Sequence, residues 1–472
     1  MVNLSFDANI WIGWPPSPQY SMNIGVLEGI NQVMANLVER GFKGIVIGPW
    51  SAVENPKGKM EYGPFDSETY RKSLRAGVGS KVIKTDWYHA FNPTPKYYEA
   101  TNLKPRYLPE KIENLGRKYF KEIVKAASDC GLNIYYLWLL DSKLEQPVPD
   151  NSQETADVFG RKMGWSCMND PGLPEYMKGY LKDILDNYPE INGVILDSLG
   201  FASFEADEIF TCFCDVCRDK AESYGYNFSD LKLAALRFRS WLRDEKNIKQ
   251  ISENGISSID YVAKIFSDKD FVDWLQFKFK STNDIARSIH EVVQEVDPLL
   301  KLHIICMNPS FAPISGVDIL NLKKYCDILT PKLYPTEDYW CWRHRLDSYV
   351  EFIRGGSGVD ESTAIKFLSE LFNLEWLSKY QSINELKSKV MPVEAFENEV
   401  KKLIDLFGDK SRIRPWIWLD YALTDEIKNV LKAVAGAGLK GAFFKRYSGA
   451  TEEKLDMIQK EFGMKTEEKS HV

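Results

Sequence analysis

Short apolar runs alternate along this chain with longer segments of helical periodicity. Eight runs stand out: LSFDANI at Leu4, GIVIGPW at Gly44, LNIYYLWLL at Leu132, NGVILDSLG at Asn192, LKLHIICMN at Leu300, DILTPKLYP at Asp327, IRPWIWLD at Ile413 and KGAFFKRY at Lys440. Gly or Asn turn signals precede several of them, as in RGFKG, DCGLN and GAGLKG. Between them lie amphipathic stretches such as GVLEGINQVMANLVER and DEIKNVLKAVAGA. Strands alternating with helices predict βαβ units and a parallel sheet. Eight such units predict a closed (β/α)8 TIM barrel of the α/β class. An open doubly wound sheet would need a phosphate-type glycine loop after the first strand, and no GxGxxG is found there.

Three connections exceed what a crossover helix requires, at about 50–117, 198–298 and 335–412. All follow strand C-termini, the end where barrel active sites are built. The expected organisation is one catalytic-type barrel over 1–463 with these long loops, then a charged, flexible tail over 464–472. A 472-residue length alone would allow two or three domains, but a barrel with long loops reaches that size as one.

Side chains alternate across a strand, so the pattern also predicts which ones point into the barrel. In GVILD, Val194 and Leu196 suit the helix side, which turns Ile195 and Asp197 inward with Asp197 at the C-terminal rim. The same reasoning puts Trp416, Trp418 and Asp420 inside in PWIWLD, with Asp420 at the rim. It puts Thr330, Lys332 and Tyr334 inside in ILTPKLY, and Ser5, Asp7 and Asn9 inside in LSFDAN. The third strand offers Trp138 inside or Asp141 at the rim, and alternation does not choose between them. The bland role of an inward aspartate is to cap the next helix or to pair with Lys332.

Composition narrows the function. Net charge is −7, and Lys and Arg are spread along the chain, so nucleic acid is not an expected partner. No run approaches a membrane span and no signal peptide is evident, so a cytoplasmic location is the default expectation. Aromatics reach 13%, with 13 Trp and 23 Tyr. They serve either a large core or stacking platforms for the C–H faces of sugars.

Cys212, Cys214 and Cys217 lie in TCFCDVC, just after the fourth strand. A CxCxxC in a cytosolic chain is a metal-ligand spacing, because short turns let several sulfurs converge on one ion. Cys167, in GWSCMNDP before the same strand, is the natural fourth ligand; the alternative is a cluster of free thiols. Four thiolates without histidine predict a closed, structural zinc site. Among the other cysteines, Cys130, Cys306, Cys326 and Cys341 read as core or surface thiols.

A strand-four carboxylate followed by CxCxxC, with an upstream cysteine, resembles the family 42 glycoside hydrolases (β-galactosidases). The stretch DSLGF–SFE–TCFCDVCR, with YYEATNLKPR upstream, is similar to uncharacterised glycoside-hydrolase-like barrels. The likeness covers most of residues 85–225. It implies a catalytic position at Asp197 and zinc ligands at Cys167, Cys212, Cys214 and Cys217. Family 42 enzymes carry Asn-Glu on strand four where this chain carries Leu-Asp. An acid/base built for Glu would then sit about 1 Å back. Under the family 42 analogy Asp197 is the acid/base. Under the analogy with α-amylase-like barrels it is the nucleophile, with Asp420 complementary in either case.

The expected function is therefore a glycoside hydrolase or transglycosidase using Asp197 and Asp420. Trp138, Trp418, Lys332, Tyr334 and Asp7 would contact a carbohydrate substrate, with Trp87, Tyr88 and Phe91 as outer subsites. Glu205 and Asp141 are reserve carboxylates. A carbohydrate-binding pseudoenzyme with the same zinc is the alternative. A metal-dependent amidohydrolase is disfavoured, because the five histidines form no HxH or HExxH pattern.

Overall fold

The computed structural model describes residues 6–13, 29–48, 50–54, 60–62, 83–89, 92–105, 110–139, 151–197, 199–255, 267–334, 342–419 and 422–464. The eight apolar runs form eight parallel strands: β1 (Asp7–Gly13), β2 (Gly44–Ile47), β3 (Asn133–Leu139), β4 (Gly193–Asp197), β5 (Lys301–Cys306), β6 (Ile328–Leu333), β7 (Trp416–Trp418) and β8 (Gly441–Lys445). Each pairs with its neighbours in chain order, and β8 closes on β1 through Asp7↔Gly441 and Asn9↔Phe443. A helix follows each strand: α1 (Ile30–Glu39), α2 (Glu110–Asp129), α3 (Leu173–Asn187), α4 (Lys269–Val296), α5 (Ile319–Leu322), α6 (Val393–Phe407), α7 (Thr424–Gly436) and α8 (Glu452–Glu461). This is the predicted (β/α)8 barrel.

Two apolar layers follow from strand alternation. Ala8, Ile10 and Ile12 of β1 and Val194 and Leu196 of β4 face the helices. Ile195, Ile305, Trp416, Trp418 and Phe443 fill the interior. Helix α4 shows how the outer layer is built. The Asp268 carboxylate caps its first turn at Phe271 N, and Trp274, Phe277, Ile285, Ile289 and Val292 recur along its buried face.

The N-terminal mouth is closed by charge. Arg414 Nε lies 3.0 Å from Asp7 Oδ2. Its side chain runs so close over Gly441 that a Cβ there would sit 2.4 Å from Arg414 Cδ, so glycine is required. His303, on β5, is buried above this pair between Tyr135 and Phe443.

The long connections carry their own structure. After β2 an antiparallel ribbon joins Trp50–Glu54 and Met60–Tyr62 to Ile83–His89. After β3 a second ribbon pairs Glu154–Ala156 with Lys162–Ser166. After β4 come helices Asp215–Ser223, Phe228–Trp241 and Glu245–Asn254, and after β6 come Trp342–Ser357, Glu361–Leu371 and Ile383–Ser388. Among the described residues no helix is long and apolar enough to cross a membrane.

Candidate active site and metal centre

Asp197 ends β4, and its side chain enters the C-terminal mouth as the alternation requires. Lys332 enters from β6, and its Nζ lies 2.9 Å from Asp197 Oδ1, both groups largely buried. The ion pair considered as the bland role of Asp197 is therefore present. Beside it is a small cavity of about 30 Å³, lined by Asp197, Lys332, Trp165, Phe204 and Met307. A larger cavity of about 430 Å³, lined almost wholly by apolar side chains, lies among helices Phe228–Trp241, α4 and Trp342–Ser357. Its polar lining is Arg237, Asp268 and Ser310, and the first two pair with each other at 2.7 Å.

Tyr334 and Trp418 point inward and meet edge to face, with centroids 4.9 Å apart. Both are fully buried, and the Lys445 ammonium sits 3.6 Å from the Trp418 ring centroid. That ring is packed in the barrel interior with a cation on its face. Arg446, at a positive φ of 69°, adds a second cation 5.0 Å from the same ring. Trp416 lies one layer deeper against Phe443.

Two expected contacts fall elsewhere. Trp138 is in register with the outward Leu196 and is buried in the helix-facing layer, so it does not line the mouth. Alternation could not orient β3 because its residues are apolar or aromatic on both faces. Asp7 does point inward, but from the first residue of β1, and it pairs with Arg414 at the opposite mouth. Parity fixes the face and not the end. Asp420, Asp141 and Phe91 lie outside the described residues, while Trp87 and Tyr88 lie on strand Ile83–His89.

The loop after β4 brings further polar groups to this side. Glu205 Oε1 lies 2.6 Å from His344 Nε2, both partly exposed. The buried Glu208 carboxylate accepts from Trp165 Nε1 at 2.9 Å, Phe204 N at 2.8 Å and Glu205 N at 3.0 Å, so it sets the shape of this turn. Sequence reasoning named Glu205 but missed His344, Glu208, Lys445 and Arg446. For Lys445 the signal was available, since Gly441, Phe443 and Lys445 form the inward set of GAFFK.

The four cysteines converge. Cys167 follows strand Lys162–Ser166, Cys214 precedes helix Asp215–Ser223 at its N-cap position and Cys217 lies in its first turn. All four sulfurs lie within 4.8 Å of one another and are buried. Cys167 Sγ is 3.5 Å from Cys217 Sγ and 3.7 Å from Cys214 Sγ. Four sulfurs each about 2.3 Å from one zinc would be about 3.8 Å apart. The donor set and spacing fit a divalent ion. Hydrogen bonds from Cys167, Cys212 and Cys217 pull the Cys214 thiol far below the ordinary thiol range, while those with Cys212, Cys214 and Cys217, together with burial, push Cys167 well above it. Asn169 Nδ2 approaches Cys217 Sγ at 3.3 Å, an outer-layer contact of the kind that orients metal ligands.

No protein-family profile and no curated protein matches the chain. Solved structures similar to it include the β-galactosidase of the Antarctic haloarchaeon Halorubrum lacusprofundi, with TM-score 0.48 and 10% identity over 97% of this chain and 57% of that one. The β-galactosidase of Marinomonas ef1 gives TM-score 0.48 and 10% identity over 97% and 59%. The endo-1,4-β-D-mannanase of Thermotoga petrophila RKU-1 gives 0.42 and 10% over 98% and 99%. The chain thus spans well under two thirds of the length of the two β-galactosidases. The closed parallel barrel of this chain rests on its own strand pairing.

Proposed function

We propose that this chain is a glycoside hydrolase or transglycosidase, with Asp197 and Asp420 as its carboxyl pair and a structural zinc held by Cys167, Cys212, Cys214 and Cys217. The observation that carries the reading is an inward carboxylate at the C-terminal end of β4, followed in the next loop by three of the four clustered cysteines. Glycoside hydrolysis needs two carboxyl groups across the scissile bond, and their separation decides between retention and inversion. An aspartate ion-paired at 2.9 Å to Lys332 suits the nucleophile or base better than the proton donor. That gives Asp420 the acid role. Lys332 would hold the Asp197 oxygen in place while a sugar hydroxyl competes for the same ammonium. The zinc would pin the loop after β4 and take no part in bond breaking. The described cysteines form no disulfide, which suits a reducing compartment, and the reading therefore includes a cytoplasmic location.

The test is a screen of aryl glycosides with wild type, Asp197→Asn and Asp420→Asn. Either substitution should cut turnover by roughly three orders of magnitude while the folded chain is retained, in line with losses when a catalytic unit is broken. Full activity in Asp197→Asn would remove that residue from the mechanism. Saccharide binding without turnover in wild type would favour the carbohydrate-binding alternative, to which the Asp197–Lys332 pair lends support because it already satisfies the carboxylate.

A further inference from the structure

Helix α4 places a row of polar side chains where an apolar face is expected: Lys278, Ser281 and Thr282 are all essentially inaccessible to solvent. Ser281 Oγ accepts from Asn169 Nδ2 at 3.2 Å, and the same Nδ2 approaches Cys217 Sγ. This face of α4 is therefore the wall of the four-cysteine centre. Lys278, one turn earlier, donates to Ile209 O at 3.0 Å and to Ile314 O at 2.5 Å. Ile209 lies three residues before Cys212. The ammonium also rests over the rings of Phe201 and Trp274, at 5.0 and 5.2 Å. Among the described residues it forms no ion pair with a carboxylate, although a buried ammonium is costly unless compensated.

The cysteine centre offers that compensation. One divalent ion and four thiolates carry a net charge of −2, also shut away from water. We infer that Lys278 is the counter-charge of this centre and couples it to the loops at the barrel mouth. The inference rests on the proposed metal site. Two observations bear on this role, the first on the pairing and the second on the coupling to the mouth. Burial draws the lysine down to about 7, and the charge acting against that shift is Cys212. Gly316, at φ 71°, lies so close that a Cβ there would meet Lys278 Cβ at 2.8 Å, so the turn after β5 is shaped around this lysine. That turn is tied to the loop after β4 by Phe201 N to Ser315 O at 2.8 Å and by the Ser203 and Ser315 hydroxyls at 2.6 Å. Charge at the metal centre thus reaches the segment that runs from Asp197 to Glu205. Lys278 is a positioning residue.

The experiment uses the full-length chain loaded with zinc alone. Zinc per chain is measured by elemental analysis, and affinity by competition with a chromogenic chelator, for wild type, Lys278→Met, Lys278→Gln and Lys454→Met. Lys454 is a buried lysine remote in sequence from the cysteines that donates to Leu419 O, and it controls for burial alone. Lys278→Gln keeps donors for the two carbonyls and removes the charge. Both Lys278 variants should bind zinc 10- to 100-fold more weakly, the usual scale for an outer-layer metal partner, with Lys454→Met unchanged. Should Lys278→Met fail to fold, the glutamine variant carries the comparison. Wild-type affinity in Lys278→Gln would overturn the counter-charge role and leave the metal site standing. A wild-type chain that binds no zinc would overturn the metal site, and this inference with it.

Discussion

His303 makes the barrel acid-sensitive. It lies 4% exposed in the interior, with Tyr135 and Phe443 at ring distances of 5.0 and 5.4 Å. Burial pulls its pKa from 6.5 to about 4, against the opposing pull of Asp7 and Asp327. The folded barrel therefore holds a neutral imidazole through a pH range in which the unfolded chain binds a proton. The stability this contributes is intact above pH 6.5 and is lost as pH falls toward 4. A shift of that size amounts to about 3 kcal/mol once both states are protonated, and about 2 kcal/mol of it is lost between pH 7 and pH 5. Leucine in place of His303 cannot titrate. Urea midpoints for wild type and His303→Leu at pH 7 and pH 5 isolate this group, because every other titration is common to both chains. Wild type should lose about 2 kcal/mol more than the variant across that interval. Equal losses would refute the reasoning, since they would mean that the imidazole is solvated or finds a partner when charged.

Other measurements bear on the site. Elemental analysis should find one zinc per gently purified chain, and Cys214→Ser should lose the metal and raise proteolytic cleavage in residues 199–223, because three of the four clustered sulfurs lie in that stretch. Trp418→Ala should cost about 3–5 kcal/mol, the range for deleting a buried aromatic, because the ring is fully buried beneath Lys445; loss of ligand affinity at unchanged stability would show instead that the ring meets substrate. Asp7→Asn should lower thermal stability and leave saccharide turnover untouched, because Asp7 pairs with Arg414 at the mouth opposite Asp197.

The barrel was legible because each strand is a short apolar run followed by a longer amphipathic segment, and that rhythm survives without any knowledge of tertiary contacts. The inward set was legible wherever a strand mixes polar and apolar residues. β4 and β6 do so, and Asp197 and Lys332 meet as their parity requires. β3 does not, so Trp138 could not be oriented from its neighbours. Asp7 exposes a second limit. Alternation has a period of two and carries no information on depth, which depends on where the strand begins. The cysteine cluster was legible because three of its members are local. Its α4 wall was not, because Lys278 sits within a helical pattern that reads as ordinary amphipathicity.

The same comparison explains why the mouth is shaped by loops more than by strands. The barrel supplies the depth at which Asp197 and Lys332 meet, since both sit on paired backbone, Asp197 against Leu139 and Lys332 against Trp416. It does not set the position of Phe204 or Glu205, which lie on an irregular segment after β4. Irregular backbone near a buried mouth must satisfy its own polar groups. Here the Glu208 carboxylate takes two of the amides, Ser315 takes another, and Lys278 takes the Ile209 carbonyl. All three of these partners lie outside the segment they order or at its far end. The shape of the mouth therefore depends on α4, on the turn after β5 and on Glu208 together. A change to any one of them should shift the rim on the Phe204 side while the Asp197–Lys332 pair stays in place.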